Sequence, residues 1–181
     1  MSPQNTKLSL NYVFRESLKQ AENGKSPLLL LLHGIGSNEH DLFGLTPYLD
    51  ERFFIASAQA PIALDSQAFA WFELSFSLQG MTANLEQAET SRQLLINFIA
   101  ELIEKHDLNA EKVFLCGFSQ GAIMSHAVML SATEKLAGIV AMSGRMISKE
   151  LLQNADSSKL KDFPVLIVHG KHDTVLTIDN A

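Results

Sequence analysis

The chain has 181 residues and a formal net charge of −6, with 46% hydrophobic and 19% charged residues. That length suits one domain with a sizeable core, and the composition excludes a disordered chain. The lack of a basic block removes the electrostatic case for nucleic-acid or anionic-membrane binding, and the single cysteine, Cys116, excludes an internal disulfide.

The N-terminus, MSPQNTKLSL, lacks the basic-then-apolar pattern of a signal peptide. Apolar runs fall far short of the ~20 residues that span a bilayer, so the expectation is a cytoplasmic protein without stable membrane insertion. Leu8–Phe14 alternates apolar and polar residues and predicts a half-buried strand near a sheet edge. Glu22–Pro27, punctuated by Asn23-Gly24, predicts a turn. Leu28–Leu32 is an unbroken leucine run bounded by Pro27 and Gly34, which predicts a strand buried on both faces, as in a parallel sheet. Asn38–Leu49 predicts a short helix with Leu42, Leu45 and Leu49 on one face, started or broken by Pro47. Phe53–Ala58 predicts another strand. Gln59–Gly80 reads as a long irregular segment whose aromatics, Phe69, Trp71, Phe72 and Phe76, either line an acyl pocket or cap the core from outside.

Thr82–His106 predicts a long helix capped by Thr82, with an apolar stripe of Leu85, Ala88, Leu95, Ile99 and Leu102. Arg92, Glu101 and Lys105 fall on its wet side, and His106 reads as a solvated partner of the helix dipole. Val113–Leu130 combines an apolar strand, the G-x-S-x-G of Gly117–Gly121, and an almost wholly apolar helix. The pentapeptide in that context is a nucleophile elbow, with Ser119 lifted off the end of a sheet and two glycines permitting the close approach of strand and helix. Cys116 on the strand reads as a buried, inert thiol, and His126 on the helix as a satisfied core or interface histidine. Leu136–Met142 and Phe163–Val168 predict further strands, with a short helix starting at Ser148–Leu152 between them. Strands alternating with helices indicate an α/β fold with a mostly parallel central sheet and helices on both faces. No repeat or linker divides it, so residues 1–181 read as a single domain.

In open parallel sheets, ligands bind outside the carboxyl ends of the strands. Three motifs fall there: the glycine-rich turn His33–Ser37, Ser119, and Asp173 within HGKHD. A serine hydroxyl is almost entirely protonated at neutral pH, so it needs a histidine base, which in turn needs a carboxylate to orient it. Asp173 suits the carboxylate role. Gln120 follows the nucleophile at a helix N-terminus, and its backbone N–H is one candidate oxyanion donor; the N–H of Ile35, on the early loop, is the other. A phosphate-binding reading of that loop fails for want of a full G-x-G-x-x-G or a Walker lysine. His33 is expected to brace the loop instead of acting as base.

LLLLHGIGSNEHDL (29–42), Ala60-Pro61, WFEL (71–74), GFSQGAIMS (117–125) and HGKHDTVL (169–176) together resemble the phospholipase/carboxylesterase family of α/β-hydrolases, the group that includes acyl-protein thioesterases. The resemblance runs over essentially the whole chain. It implies Ser119 as nucleophile, Asp173 as triad acid, Ile35 and Gln120 as oxyanion donors, and Trp71 and Phe72 near the acyl or alcohol pocket. It implies a small-molecule ester or thioester substrate and no metal or organic cofactor. The sequence departs from the family at Leu176-Thr177, where a proline is common. It also departs in the triad, whose order is Ser, Asp, His, because no histidine follows Asp173. The expectation drawn from this is a sequence lacking its C-terminal part. The function expected is a serine carboxylesterase or thioesterase acting on small to medium apolar acyl esters. The alternative is a non-catalytic small-molecule binder of the same fold. Whether the assembly is a monomer or a homodimer stays open.

Overall fold

The computed structural model of the chain describes residues 8–19, 24–77, 80–146 and 155–178. The leucine run forms the middle of the sheet because it can be apolar on both faces. In chain order the elements begin with β1 (Tyr12–Arg15), β2 (Leu28–Leu32), a 3-10 helix (Leu42–Tyr48) and β3 (Phe54–Ala58). Four short strands follow: β4 (Ile62–Asp65), β5 (Ala68–Ala70), β6 (Leu74–Ser77) and β7 (Gly80–Ala83). Then come α1 (Leu85–His106), β8 (Val113–Phe118), α2 (Gln120–Ser131), a 3-10 turn (Thr133–Lys135), β9 (Gly138–Met142), α3 (Ser157–Leu160) and β10 (Val165–Val168).

The central sheet has the order β1-β3-β2-β8-β9-β10. β1 runs antiparallel to β3, and the other pairs are parallel. All five residues of β2 are buried. Its even-numbered leucines join one core cluster with Leu95, Phe98, Ile99 and Leu102 of α1 and Ile123, Met124 and Val128 of α2. Leu29 and Leu31 face the other side, against Leu42 of the 3-10 helix and Ile55 of β3. The two described long helices thus cover one face and the 3-10 helix part of the other. α2 is buried at every position from Gln120 to Leu130, as its apolar sequence requires.

Five local expectations change. The segment Gln59–Gly80 is not irregular throughout: its described residues, with those up to Ala83, include the antiparallel pairs β4–β5 and β6–β7, whose strands are too short for the alternating pattern to register. The Asn38–Leu49 helix is a 3-10 helix with Pro47 inside, and Leu45 is exposed. Helix α1 is capped by Asn84, whose side chain accepts from the N–H of Gln87, while Thr82 lies in β7. Arg92 is buried against Glu89 and donates 2.6 Å to the Ser131 hydroxyl. His106 is half-buried, 2.9 Å from the Tyr12 hydroxyl and tilted against the Phe54 ring. Parts of the turn before Pro27, the helix expected at Ser148–Leu152, and the last three residues lie outside the described residues.

Candidate active site

Because β2, β8, β9 and β10 are parallel, their carboxyl ends share one edge of the sheet. Ser119 stands there, between β8 and α2, with φ 51° and ψ −115°. This is a sparsely populated region for a residue with a side chain, and such strain persists only where the surroundings over-determine it. Here they do. A Cβ on Gly117 would come within 2.2 Å of the Gly121 carbonyl oxygen, and one on Gly121 within 1.9 Å of the Leu32 oxygen. Ser119 N–H donates to the Met142 carbonyl at 2.9 Å, and its own carbonyl accepts from Ile123 N–H at 3.0 Å. The elbow is therefore wedged between β2, β9 and the first turn of α2.

The glycine-rich loop after β2 touches the elbow directly. A Cβ on Gly34 would lie 3.3 Å from Ser119 Cβ and 3.1 Å from the Phe118 ring. Gly36 has φ 80°, a conformation glycine adopts without steric cost. The N–H of Ile35 makes no hydrogen bond among the described residues. The Gln120 N–H is the first of α2, where a helix offers no internal acceptor. Ile35 and Phe118 are the exposed apolar side chains beside the serine.

His33 is fully buried, and both its ring nitrogens are engaged. The Ala60 N–H donates to Nε2 at 3.0 Å, so Nδ1 carries the proton and donates to the Gly34 carbonyl at 2.7 Å. Burial holds its protonation below the ordinary histidine range. This is a brace with no lone pair to spare for Ser119. The Trp71 indole N–H donates to the His33 carbonyl at 3.0 Å. Trp71 and Phe72 themselves are 0% and 1% exposed and belong to the core cluster. Their burial fits the second of the two sequence readings, in which these aromatics pack on the core.

Asp173 follows β10. Its carboxylate accepts from the N–H groups of Leu176 and Val175, both at 2.9 Å. These two bonds hold it below the usual carboxylate range, assisted by the Ser143 hydroxyl and by His169. Ser143 was not legible as a site residue. It sits at the end of β9 with φ 47°, and its N–H donates to the Val168 carbonyl at 2.8 Å. The signal in the sequence was the Ser-Gly pair directly after a buried strand. His169 Nε2 donates to the Leu176 carbonyl at 2.6 Å and stands 3.7 Å from Asp173 Oδ2.

The other histidines stand elsewhere. His126 is buried on α2, with burial lowering its protonation. His40 and His172 are exposed, and His106 lies at the opposite end of the sheet. A cavity of about 340 Å³ also lies at that far end, among Glu16, Phe54, His106 and Asp107. Cys116 is half-buried, its thiol pushed up to about 11 by burial, so it is a poor nucleophile at neutral pH. Among the described residues no group of three or more His, Cys, Asp or Glu is placed to hold a metal, and no helix is long and apolar enough to cross a membrane.

A strained serine at a strand-to-helix turn, on the carboxyl edge of a parallel sheet with a glycine-rich loop against it, defines an α/β-hydrolase. The model of the phospholipase/carboxylesterase family matches residues 15–180, and the chain belongs to that family. It is 29% identical over 164 residues to acyl-protein thioesterase 1 of Kluyveromyces lactis, covering 83% of this chain and 71% of the relative. It is 31% identical over 110 residues to acyl-protein thioesterase 1 of Debaryomyces hansenii, which spans 60% of this chain but only 47% of that protein. Among solved structures, the esterase PE8 superposes with a TM-score of 0.76 at 29% identity, covering 97% of this chain and 80% of its own. Membership makes this chain a hydrolase of the ester-cleaving kind.

Proposed function

We propose that the protein is a serine carboxylesterase or thioesterase that forms an acyl-enzyme on Ser119. The single observation that carries this reading is the backbone of Ser119, strained at φ 51° and ψ −115° and enclosed by glycines that admit no Cβ. In the reaction, the Ser119 hydroxyl loses its proton to an imidazole, which none of the described histidines is placed to supply, as its oxygen attacks the acyl carbonyl. The N–H groups of Ile35 and Gln120 receive the oxyanion, each worth about 3 kcal/mol in the transition state. The imidazole then protonates the departing alkoxide or thiolate, and water repeats the sequence in reverse to free Ser119. Asp173, ionised at neutral pH, orients the imidazole and stabilises its cation. Exposed Ile35 and Phe118 beside the serine favour a small to medium apolar acyl group, carried by a small-molecule ester or thioester and handled without a cofactor.

One observation favours a second reading, a small-molecule binder without turnover. His33 and His169 are tied by their own hydrogen bonds, and His126 and His106 are packed elsewhere. A panel of p-nitrophenyl esters and acyl thioesters of increasing chain length separates the two. The enzyme reading predicts turnover that falls by about 10³-fold or more in Ser119→Ala and in Asp173→Asn. Saturable binding of acyl compounds with no Ser119-dependent turnover would establish the binder instead.

A further inference from the structure

The residue after the nucleophile lends the oxyanion only its backbone N–H, a service any side chain could accompany. Gln120 nevertheless carries an amide that is 2% exposed and hydrogen-bonded through both its oxygen and its nitrogen. Its Oε1 accepts from the Trp71 N–H at 3.0 Å, and its Nε2 donates to the Phe72 carbonyl at 2.6 Å. Only a side chain with one acceptor and one donor a fixed distance apart can satisfy both groups. An apolar replacement leaves two buried backbone groups orphaned.

The segment so clamped also carries the other half of the site. Phe69, two residues before Trp71, forms a two-bond antiparallel bridge with the loop after β2. Gly36 N–H donates to the Phe69 carbonyl, and Phe69 N–H donates to the Ser37 carbonyl, each at 2.9 Å. The Trp71 indole adds its bond to the His33 carbonyl at 3.0 Å. Residues 33, 36 and 37 flank Ile35. A continuous chain of hydrogen bonds therefore runs from the N-terminus of α2, through the Gln120 amide and residues 69–72, to the loop bearing Ile35. We propose that the Gln120 side chain is a positioning residue that sets the separation of the two oxyanion N–H groups by fixing residues 69–72 to the start of α2. Its catalytic meaning rests on the serine-hydrolase reading, since positioning matters only where a misplacement of an ångström costs rate.

The test uses amide hydrogen exchange by NMR on the full chain, which reads the coupling whether or not the protein turns over ester. Gln120→Leu keeps the backbone N–H and the approximate volume while removing both clamp bonds. Gln120→Glu keeps the acceptor for Trp71 N–H and loses the donor to Phe72. The control is Ser91→Ala, which removes a 2.5 Å bond from the Ser91 hydroxyl to the Trp71 carbonyl on the α1 side and leaves α2 untouched. The expected result is exchange at Gly36 and Phe69 at least tenfold faster in Gln120→Leu, intermediate in Gln120→Glu, and within about threefold of wild type in Ser91→Ala. Should Gln120→Leu fail to fold, the Gln120→Glu and Ser91→Ala pair decides.

On an ester that wild type turns over, kcat falls at least tenfold in Gln120→Leu while KM stays within about twofold, and Ser91→Ala leaves both unchanged. Unchanged exchange at Gly36 and Phe69, or acceleration that merely tracks the loss of global stability in all three variants, would overturn the inference. A wild type without Ser119-dependent turnover would instead sink the enzyme reading, leaving the exchange rates to judge the coupling.

Discussion

The nucleophile and the acid of the proposed triad are held in opposite ways. Ser119 is surrounded by β2, β9 and α2, with contacts so close that two glycines are obligatory. Asp173 hangs from β10, whose four residues are 42–56% exposed and which, among the described residues, pairs with β9 alone. Its carboxylate accepts from Val175 and Leu176 within its own loop, and Ser143 at the end of β9 assists. The elbow is thus determined by tertiary contact, and the acid loop mainly by its own hydrogen bonds. On the proposed roles, strain and close packing are concentrated where the attacking atom is presented, whereas a group that only orients a partner can be held by a loop.

The sharpest way to break that contrast is to add one methyl group at each place. Gly121→Ala drives a Cβ to 1.9 Å from the Leu32 carbonyl oxygen, whereas Gly170→Ala meets nothing nearer than 3.9 Å. Urea unfolding should find Gly121→Ala destabilised by more than ~4 kcal/mol and Gly170→Ala within ~0.5 kcal/mol of wild type. Next in size are the strand leucines. Leu30 is fully buried and Leu166 is 56% exposed, so Leu30→Ala should cost ~3–5 kcal/mol and Leu166→Ala less than ~1 kcal/mol. Equal losses would mean that something covers β10 in solution.

The pH dependence comes third. Burial depresses the protonation of His33, so the unfolded chain takes up its proton first. The stability this confers is complete above the ordinary value of 6.5 and is withdrawn as pH falls from there toward the folded value. The slope is up to ~1.4 kcal/mol per pH unit for one proton. Urea titrations between pH 7.5 and 5 should show that decline, reduced in His33→Asn. The smallest effect is a gain. Ser119→Gly releases the strained backbone and should raise stability by ~1 kcal/mol, while Asp173→Ala, at ordinary φ, should raise nothing.

Much of this was legible in the sequence because the relevant signals are local. The leucine run, short and bounded by Pro27 and Gly34, read as a strand buried on both faces, and Gly117-Phe118-Ser119-Gln120-Gly121 between an apolar strand and an apolar helix read as a tight turn. What escaped depends on distant partners. Composition left open whether Trp71 and Phe72 line a pocket or pack on the core, and only the fold shows both inside the core cluster, with the Gln120 amide bonded to their backbone. Arg92 looked wet on its helical wheel until Glu89 and Ser131 supplied buried partners. The hairpins of residues 62–83 carry too few residues per strand to show a period, and the role of Ser143 appears only once β9 and β10 lie side by side.

The central claim is that Ser119 is the nucleophile, and intact-mass spectrometry after treatment with a fluorophosphonate tests it most directly. The protein expressed from its own gene should gain the mass of one adduct, and Ser119→Ala should gain none. A wild type that remains unlabelled, or one whose adduct persists in Ser119→Ala, would contradict the account.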